Sequence, residues 1–270
     1  MCSAVSRREI HPLNNIPPLL DQIIHTDQQL LLALNGSDSP WLDSVMLTIT
    51  STSTWLPLIF VLLYVLLRNR PWREVLLFVA CLALVILITD RFSSGFCKPF
   101  FHRFRPSHEP ALEGLVDLVG NKRGGLYGFI SSHAANTFGA GAFISLYFRR
   151  RPVTITVFLW AALCSYSRIY LGLHYPGDIL CGALFGLLVG SLVCLLFSFL
   201  LRRLPFFSVS SSAPSSSFSA SSSSLSPTSS NSHRVLCGFP SEVSDSLSNP
   251  LLIPATFAIS LLFAALYALL

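Results

Sequence analysis

Charge is what this sequence has least of. Asp, Glu, Lys and Arg together make up 11% of 270 residues, where a soluble domain keeps roughly a quarter of its residues charged. With 52% hydrophobic residues and a mean hydropathy of +0.61, the chain cannot cover itself with a wetted surface. It reads as an integral membrane protein whose first partner is the bilayer. The net charge of +5 does not alter that: so sparse a set of cations argues against a nucleic-acid partner. Cysteine pairing is also missing. The seven cysteines, Cys2, Cys81, Cys97, Cys164, Cys181, Cys194 and Cys237, form no CxxC pair, and four lie inside apolar runs. That excludes a zinc knuckle or a disulfide framework and leaves them as small hydrophobes.

Long apolar runs are what the sequence does have. A helix needs about 20 apolar residues to cross the hydrocarbon core, and stretches near 41–67, 74–96, 128–148, 152–171 and 177–201 approach that length, with a sixth at 251–270. The expected fold class is therefore all-α: a polytopic membrane helical bundle with a core of about five spans and a sixth C-terminal span. Residues 16–35 mix leucines with Asp21, His25, Asp27 and Gln28. They predict an amphipathic helix, either lying in the membrane interface or packed on the bundle as a surface helix. The organisation expected is an N-terminal interfacial segment over 1–40, a membrane domain over 41–204, a Ser-rich flexible linker over 205–250 and a transmembrane helix over 251–270.

Arg68, Arg70 and Arg73, then Arg149, Arg150 and Arg151, then Arg202 and Arg203 occupy alternate connections. By the positive-inside rule these face the cytoplasm, and the connections 97–127 and 172–176 face the other side. The first of those is basic too, through Lys98, Arg103, Arg105, Lys122 and Arg123, which opposes the rule unless those cations are held for chemistry.

Polar groups gather at the outward ends of the spans in three clusters. These are Lys98 to Pro106, Ser131-Ser132-His133, and Ser167-Arg168 through His174 to Asp178. Lys98, Arg105 and Arg168 offer fixed cations for the charge that spreads over phosphoryl oxygens in transfer. Ser131, Ser132 and His133 lie at a loop-to-helix start, where backbone N–H groups favour an anion. Two imidazoles complete an acid and nucleophile pair. Asp178 follows His174 by four residues, a spacing that lets its carboxylate hold the ring's tautomer.

In this order and spacing the three clusters resemble the signature of the type 2 phosphatidic acid phosphatase (PAP2) superfamily, on the branch of bacterial membrane lipid phosphatases that includes undecaprenyl-diphosphatases and lipid A phosphatases. The resemblance runs from Lys98 to Asp178, within a helical core of about 41–201. It implies a hydrolase that needs no metal or other cofactor and works through a phosphohistidine. His174 is then the nucleophile, Asp178 its partner and His133 the acid for the leaving oxygen, with Lys98, Arg105, Arg168, Ser131 and the Ser132 backbone around the phosphate. The second motif departs from the usual Pro-Ser-Gly-His: Ile130 replaces the Pro and Ser132 the Gly. Ser132 must therefore take ordinary helical angles.

The implied substrates are lipid phosphates or pyrophosphates: undecaprenyl pyrophosphate, lipid A, phosphatidylglycerol phosphate or phosphatidic acid, with the first two favoured. The implied location is a bacterial inner membrane, with the site open to the periplasm or exterior. A phosphotransferase using the same residues and a non-catalytic lipid-binding or transport protein are the rival readings. Glu109, Glu113 and Asp117 recur every fourth residue and would share one face if their segment were helical.

Overall fold

The computed structural model describes residues 18–37, 39–203 and 252–267; the Ser-rich segment lies outside them. The described residues form nine α-helices and no strand. Helix α1 (Pro18–Leu34) buries only Asp27 and Leu31, four residues apart and so on one face. Leu31 packs on Ile169 and Tyr175, while Leu19, Leu20, Ile23 and Leu30 stay exposed. The helix is docked on the bundle along one stripe and presents leucines along the other.

The stretch expected as one span over 41–67 is broken in two. Helix α2 (Pro40–Ile49) starts with Pro40 at its first position and a Ser39 side chain that accepts from the Leu42 amide. It stops at Thr50, and α3 (Leu56–Asn69) follows after a 3-10 turn, Thr52–Trp55. The run Thr50 to Thr54 explains the break, because its hydroxyls compete with the backbone for hydrogen bonds. Thr54 Oγ1 donates to the Thr48 carbonyl at 2.6 Å and Trp55 Nε1 to that of Ile49 at 2.8 Å, satisfying acceptors that the interrupted helix frees.

Helix α4 (Trp72–Asp90) runs past its expected end. A π-helical turn, Arg91–Cys97, carries it into α5 (Lys98–Phe101). Among the described residues, four helices are long and apolar enough to cross a membrane: Thr52–Asn69, Trp72–Phe101, Arg151–Tyr170 and Pro176–Arg203. The last two are α7 (Arg151–Tyr170) and α8 (Pro176–Arg203). Between them in space stands α6 (Ser132–Phe148), 17 residues long and so roughly 25 Å. It is packed by α4, α7 and α8. Helix α9 (Leu252–Tyr267) lies against α2, α3 and α7, with Phe257 stacked on Trp55 at 5.7 Å.

The pairing of α6 with α8 sets the frame. Gly182, Gly186 and Gly190 recur every fourth residue on α8 and face the α6 backbone. A methyl group on Gly186 would collide with the Ala135 carbonyl, one on Gly190 with that of Gly139, and one on Gly182 would come 2.6 Å from the Ser131 carbonyl. Small residues at this spacing let two membrane helices approach backbone to backbone. At the end of the bundle away from the three polar clusters, Phe78 closes the core against Phe143 and Tyr147 at 5.0 and 4.8 Å, and Tyr147 donates to Glu74 at 2.8 Å.

Gly186→Ala is expected to destabilise the folded protein by about 1–3 kcal/mol, the usual cost of overpacking. Gly141→Ala is the control. Its methyl would meet Phe158 at an ordinary 3.7 Å, and alanine is the better helix former by about 1 kcal/mol. Thermal unfolding in detergent should show a lower midpoint for the first variant and an equal or higher one for the second. Equal midpoints for Gly186→Ala and the parent protein would rule out the close approach as a source of stability.

Candidate active site

The α6–α8 contact brings the starts of both helices together. Ser131 caps α6 by accepting from the Ala134 amide at 3.4 Å, and its own amide donates to the Asp178 carbonyl at 3.1 Å. Ser132 takes the first helical position of α6, so the conformation required of it in place of glycine is met without strain. Its hydroxyl has gained partners. Lys98 Nζ donates to Ser132 Oγ at 2.8 Å and to Ser94 Oγ at 3.1 Å, and Ser93 Oγ donates to Ser132 Oγ at 2.8 Å. The π-helical turn makes this possible, since the wider turn brings Ser93, Ser94 and Lys98 toward α6 together. Such turns recur at functional sites.

Two arginines reach the same place from one short extended segment. Arg105 N donates to the Leu126 carbonyl at 3.0 Å and Gly128 N to that of Arg103 at 2.9 Å, pairing Phe104 with Tyr127 in an isolated bridge. In an extended chain, residues two apart project to the same face, so Arg103 and Arg105 both turn inward. Phe104 turns the other way and stacks on Tyr127 at 5.8 Å. Gly128 leaves room for them: a methyl there would lie 3.2 Å from Arg105 Cγ and 3.1 Å from Asp178 Oδ2.

Arg105 Nη1 lies 3.0 Å from His174 Nε2 and also donates to the Leu173 carbonyl at 3.1 Å. A guanidinium can only donate, so Nε2 is the accepting, unprotonated nitrogen and the ring's proton sits on Nδ1. Nδ1 faces Asp178 Oδ2 at 3.5 Å, beyond good hydrogen-bond length. His174 is 2% exposed and Asp178 is fully buried. Burial of the ring, reinforced by the Arg105 charge and only partly opposed by Asp178, lowers the His174 pKa to about 4.

Arg168 ends α7 beside these groups. Its Nη1 donates to Thr50 Oγ1 at 2.9 Å, so the break after α2 supplies the hydroxyl that holds it. The Nε–H groups of Arg105 and Arg168 are buried with no partner among the described residues. Buried donors left unpaired are costly and therefore diagnostic. His133, in the first turn of α6, has its side chain exposed at this same end.

All eight residues predicted for the site thus lie at one end of the bundle, and two more belong with them. Arg103 ion-pairs with Asp178 Oδ1 at 2.8 Å and with Asp27 Oδ2 of α1 at 2.6 Å. The i, i+2 relation of Arg103 to Arg105 was the available sequence signal for the first; nothing set Asp27 apart from Asp21. One expectation fails. Glu109, Glu113 and Asp117 do not share a helical face, because Pro110 starts only a single 3-10 turn, Pro110–Leu112. Among the described residues, no three His, Cys, Asp or Glu side chains are grouped as metal ligands. His102 packs edge-on against Tyr127 at 4.9 Å and His108 lies 3.0 Å from Ser107.

The family model for the PAP2 superfamily matches residues 74–202. The chain is 42% identical over 169 residues to a lipid A 4'-phosphatase of Bacteroides thetaiotaomicron, covering 62% of this chain and 75% of that protein. It is 41% identical over 174 residues to a lipid A 4'-phosphatase of Porphyromonas gingivalis, covering 64% and 74%. To phosphatidylglycerophosphatase B of Bacillus subtilis it is 28% identical over 167 residues, covering 57% and 74%. Among solved structures, the transmembrane PAP2 type phosphatidylglycerolphosphate phosphatase from Bacillus subtilis superposes with a TM-score of 0.50 at 24% identity. That match covers 69% of this chain and 90% of the other and extends the likeness to the fold.

The lowered His174 pKa has a measurable sign. A free imidazole titrates near 6.5; with its pKa at about 4, the ring stays neutral as pH falls through 6.5 and protonates only near 4. Imidazole nitrogen NMR on histidine-labelled protein in detergent, assigned against His174→Gln, should place the His174 midpoint near pH 4. A midpoint at or above 6 would contradict the buried, Arg105-capped ring described here.

Proposed function

Because the chain belongs to the PAP2 superfamily and is an integral membrane lipid phosphatase, we propose that it removes a phosphate from lipid A, with His174 as the nucleophile. The observation that carries the mechanism is the 3.0 Å approach of Arg105 to His174 Nε2, because it puts a phosphate-binding cation against the one ring nitrogen with a free lone pair. The substrate rests on the two relatives above 40% identity, both named lipid A 4'-phosphatase.

An incoming phosphate draws the Arg105 guanidinium onto its oxygens, where a bidentate pairing outcompetes a single bond to imidazole. That uncovers Nε2 in line with phosphorus. Lys98 and Arg168 take the remaining oxygens, and the α6 N-terminus at Ser131 and Ser132 adds backbone N–H groups. As Nε2 bonds to phosphorus, the bond from phosphorus to the sugar oxygen breaks and His133, which the negative charge of the bound phosphate favours as the imidazolium, gives that oxygen a proton and becomes neutral. The positive charge that forms on His174 is balanced by Asp178. Water then attacks the phosphohistidine, passes a proton to His133, and releases phosphate with neutral His174 restored. No step calls for a metal ion.

The lipid body has a surface beside the site. Phe92, Phe96, Phe100 and Phe101 are exposed next to Lys98, and Phe96 stacks on both Phe92 and Phe100 at 5.4 and 5.5 Å. This aromatic face suits acyl chains reaching the site from within the leaflet. The arginine-rich connections at the other end of the bundle support a site on the non-cytoplasmic side of a bacterial inner membrane.

Purified protein in detergent, with chelator present, should release phosphate from lipid A and leave a product lacking one phosphate by mass spectrometry. His174→Gln should lower that release by at least about a thousandfold, as loss of a nucleophile does. Release confined to phosphatidylglycerol phosphate, phosphatidic acid or undecaprenyl pyrophosphate would overturn lipid A as the substrate. Undiminished release by His174→Gln would overturn the nucleophile.

A further inference from the structure

Asp178 is the carboxylate that the proposed mechanism leans on, yet it has more partners than His174. Its Oδ1 accepts from Arg103 Nη1 at 2.8 Å, and its Oδ2 accepts from the Tyr175 amide at 3.2 Å while facing His174 Nδ1 at 3.5 Å. Arg103 is held at both ends of its fork and across one face. Its Nη2 donates to Asp27 Oδ2 at 2.6 Å, and its guanidinium carbon lies 4.2 Å above the Tyr175 ring. Asp27 is in turn anchored where α8 begins, accepting from the Gly177 amide at 2.7 Å. The residue at 177 leaves no slack, since a methyl group there would lie 2.7 Å from Asp27 Oδ2.

These contacts form one chain, from Asp27 on α1 through Arg103 and Asp178 to His174. Both terminal nitrogens of Arg103 are committed to carboxylates, which separates it from Arg105 two residues on. Arg103 also offsets one of the two negative charges that Asp27 and Asp178 would otherwise set against a phosphate dianion.

We propose that Arg103 and Asp27 are positioning residues for the phosphatase reaction: Arg103 holds the Asp178 carboxylate turned toward His174 Nδ1, and Asp27 holds Arg103, making α1 part of the catalytic unit. The inference rests on the reading of His174 as nucleophile. Removing a group that orients a reacting residue typically lowers the rate by 10- to 100-fold. The loss falls on turnover rather than on binding, because neither residue reaches the phosphate.

The test measures kcat and KM for the lipid that the wild-type protein hydrolyses best, on variants that elute and melt as the wild-type protein does. Arg103→Gln is expected to lower kcat by roughly 10- to 100-fold with KM changed less than about twofold. Asp27→Asn should lower it less, and the double variant Asp27→Asn/Arg103→Gln no further than Arg103→Gln alone, because Asp27 acts only through Arg103. Gly177→Ala keeps both charges but displaces Asp27, and should reproduce the loss seen in Asp27→Asn. Wild-type kcat in Arg103→Gln, a double variant whose loss is the product of the two single losses, or a change confined to KM would each overturn the proposal. His174→Gln, run alongside, separates the two levels: if it too retains turnover, the nucleophile reading has failed rather than the positioning one.

Discussion

The backbone contact between α6 and α8 is the constraint on which the rest depends. Lipid tails are as apolar as leucine, so helices in a bilayer gain little from burying large apolar side chains against one another and more from close packing. Gly182, Gly186 and Gly190 supply that packing by letting the α6 backbone lie directly on α8. Once the two helices are locked in this register, the functional ends have no freedom to drift. The Ser131 amide meets the Asp178 carbonyl, so the residues that begin α6 and those that precede and begin α8 form one rigid unit. His133 is the second residue of the first helix, and His174 stands just before the second.

Burying charge at the edge of a membrane is costly, and the structure offsets that cost by pairing. Asp178 is completely buried yet receives an arginine and a backbone amide. Asp27 receives the same arginine and another amide. Two carboxylates and one guanidinium leave a single formal negative charge, and Arg105 lies against His174 Nε2, the ring nitrogen opposite the one that faces Asp178. The site is thus divided: one arginine is spent on holding the carboxylates, and among the described residues the other cations are hydrogen-bonded to neutral partners. Lys98 is on serine hydroxyls, Arg168 on a threonine hydroxyl, and Arg105 on a carbonyl and an imidazole. Neutral partners are the ones an anion can displace. The same division keeps His174 neutral, since burial and the adjacent guanidinium both work against a second charge there.

Much of this was legible in the sequence because phosphate chemistry writes its requirements as charged residues, and charged residues stand out in an apolar chain. The helical class, the positions of α4, α7 and α8, and the convergence of Lys98, Arg105, Ser131, Ser132, His133, Arg168, His174 and Asp178 all followed from composition and spacing. What was missed is local geometry that hydropathy does not encode. The break between α2 and α3 depends on threonine and serine hydroxyls capturing carbonyls, while the flanking residues keep the segment apolar. The continuation of α4 depends on a π-helical turn, which leaves no periodic trace over seven residues. The bridge that turns Arg103 and Arg105 to one side is a single residue pair, too short for any strand signal. Asp27 is invisible for a different reason: on a helix with several polar residues, only the position of α8 decides which of them is buried.

Ser132 shows how a departure from a motif can be accommodated by its surroundings. Glycine at that position would offer the backbone alone. Serine there keeps the backbone contribution, because the first helical residue needs no unusual angles, and adds a hydroxyl that accepts from Lys98 and Ser93 and shares a hydrogen bond with Ser94 at 3.0 Å. The lysine is thereby held by neutral oxygens in a fixed direction before any substrate arrives, which reduces the side-chain entropy lost on binding phosphate. A lysine ammonium has three donors, and two are used here, so one remains for a phosphate oxygen without breaking the arrangement. On this argument the extra hydroxyl and the π-helical turn that delivers its partners belong together: each would be of little use to Lys98 without the other.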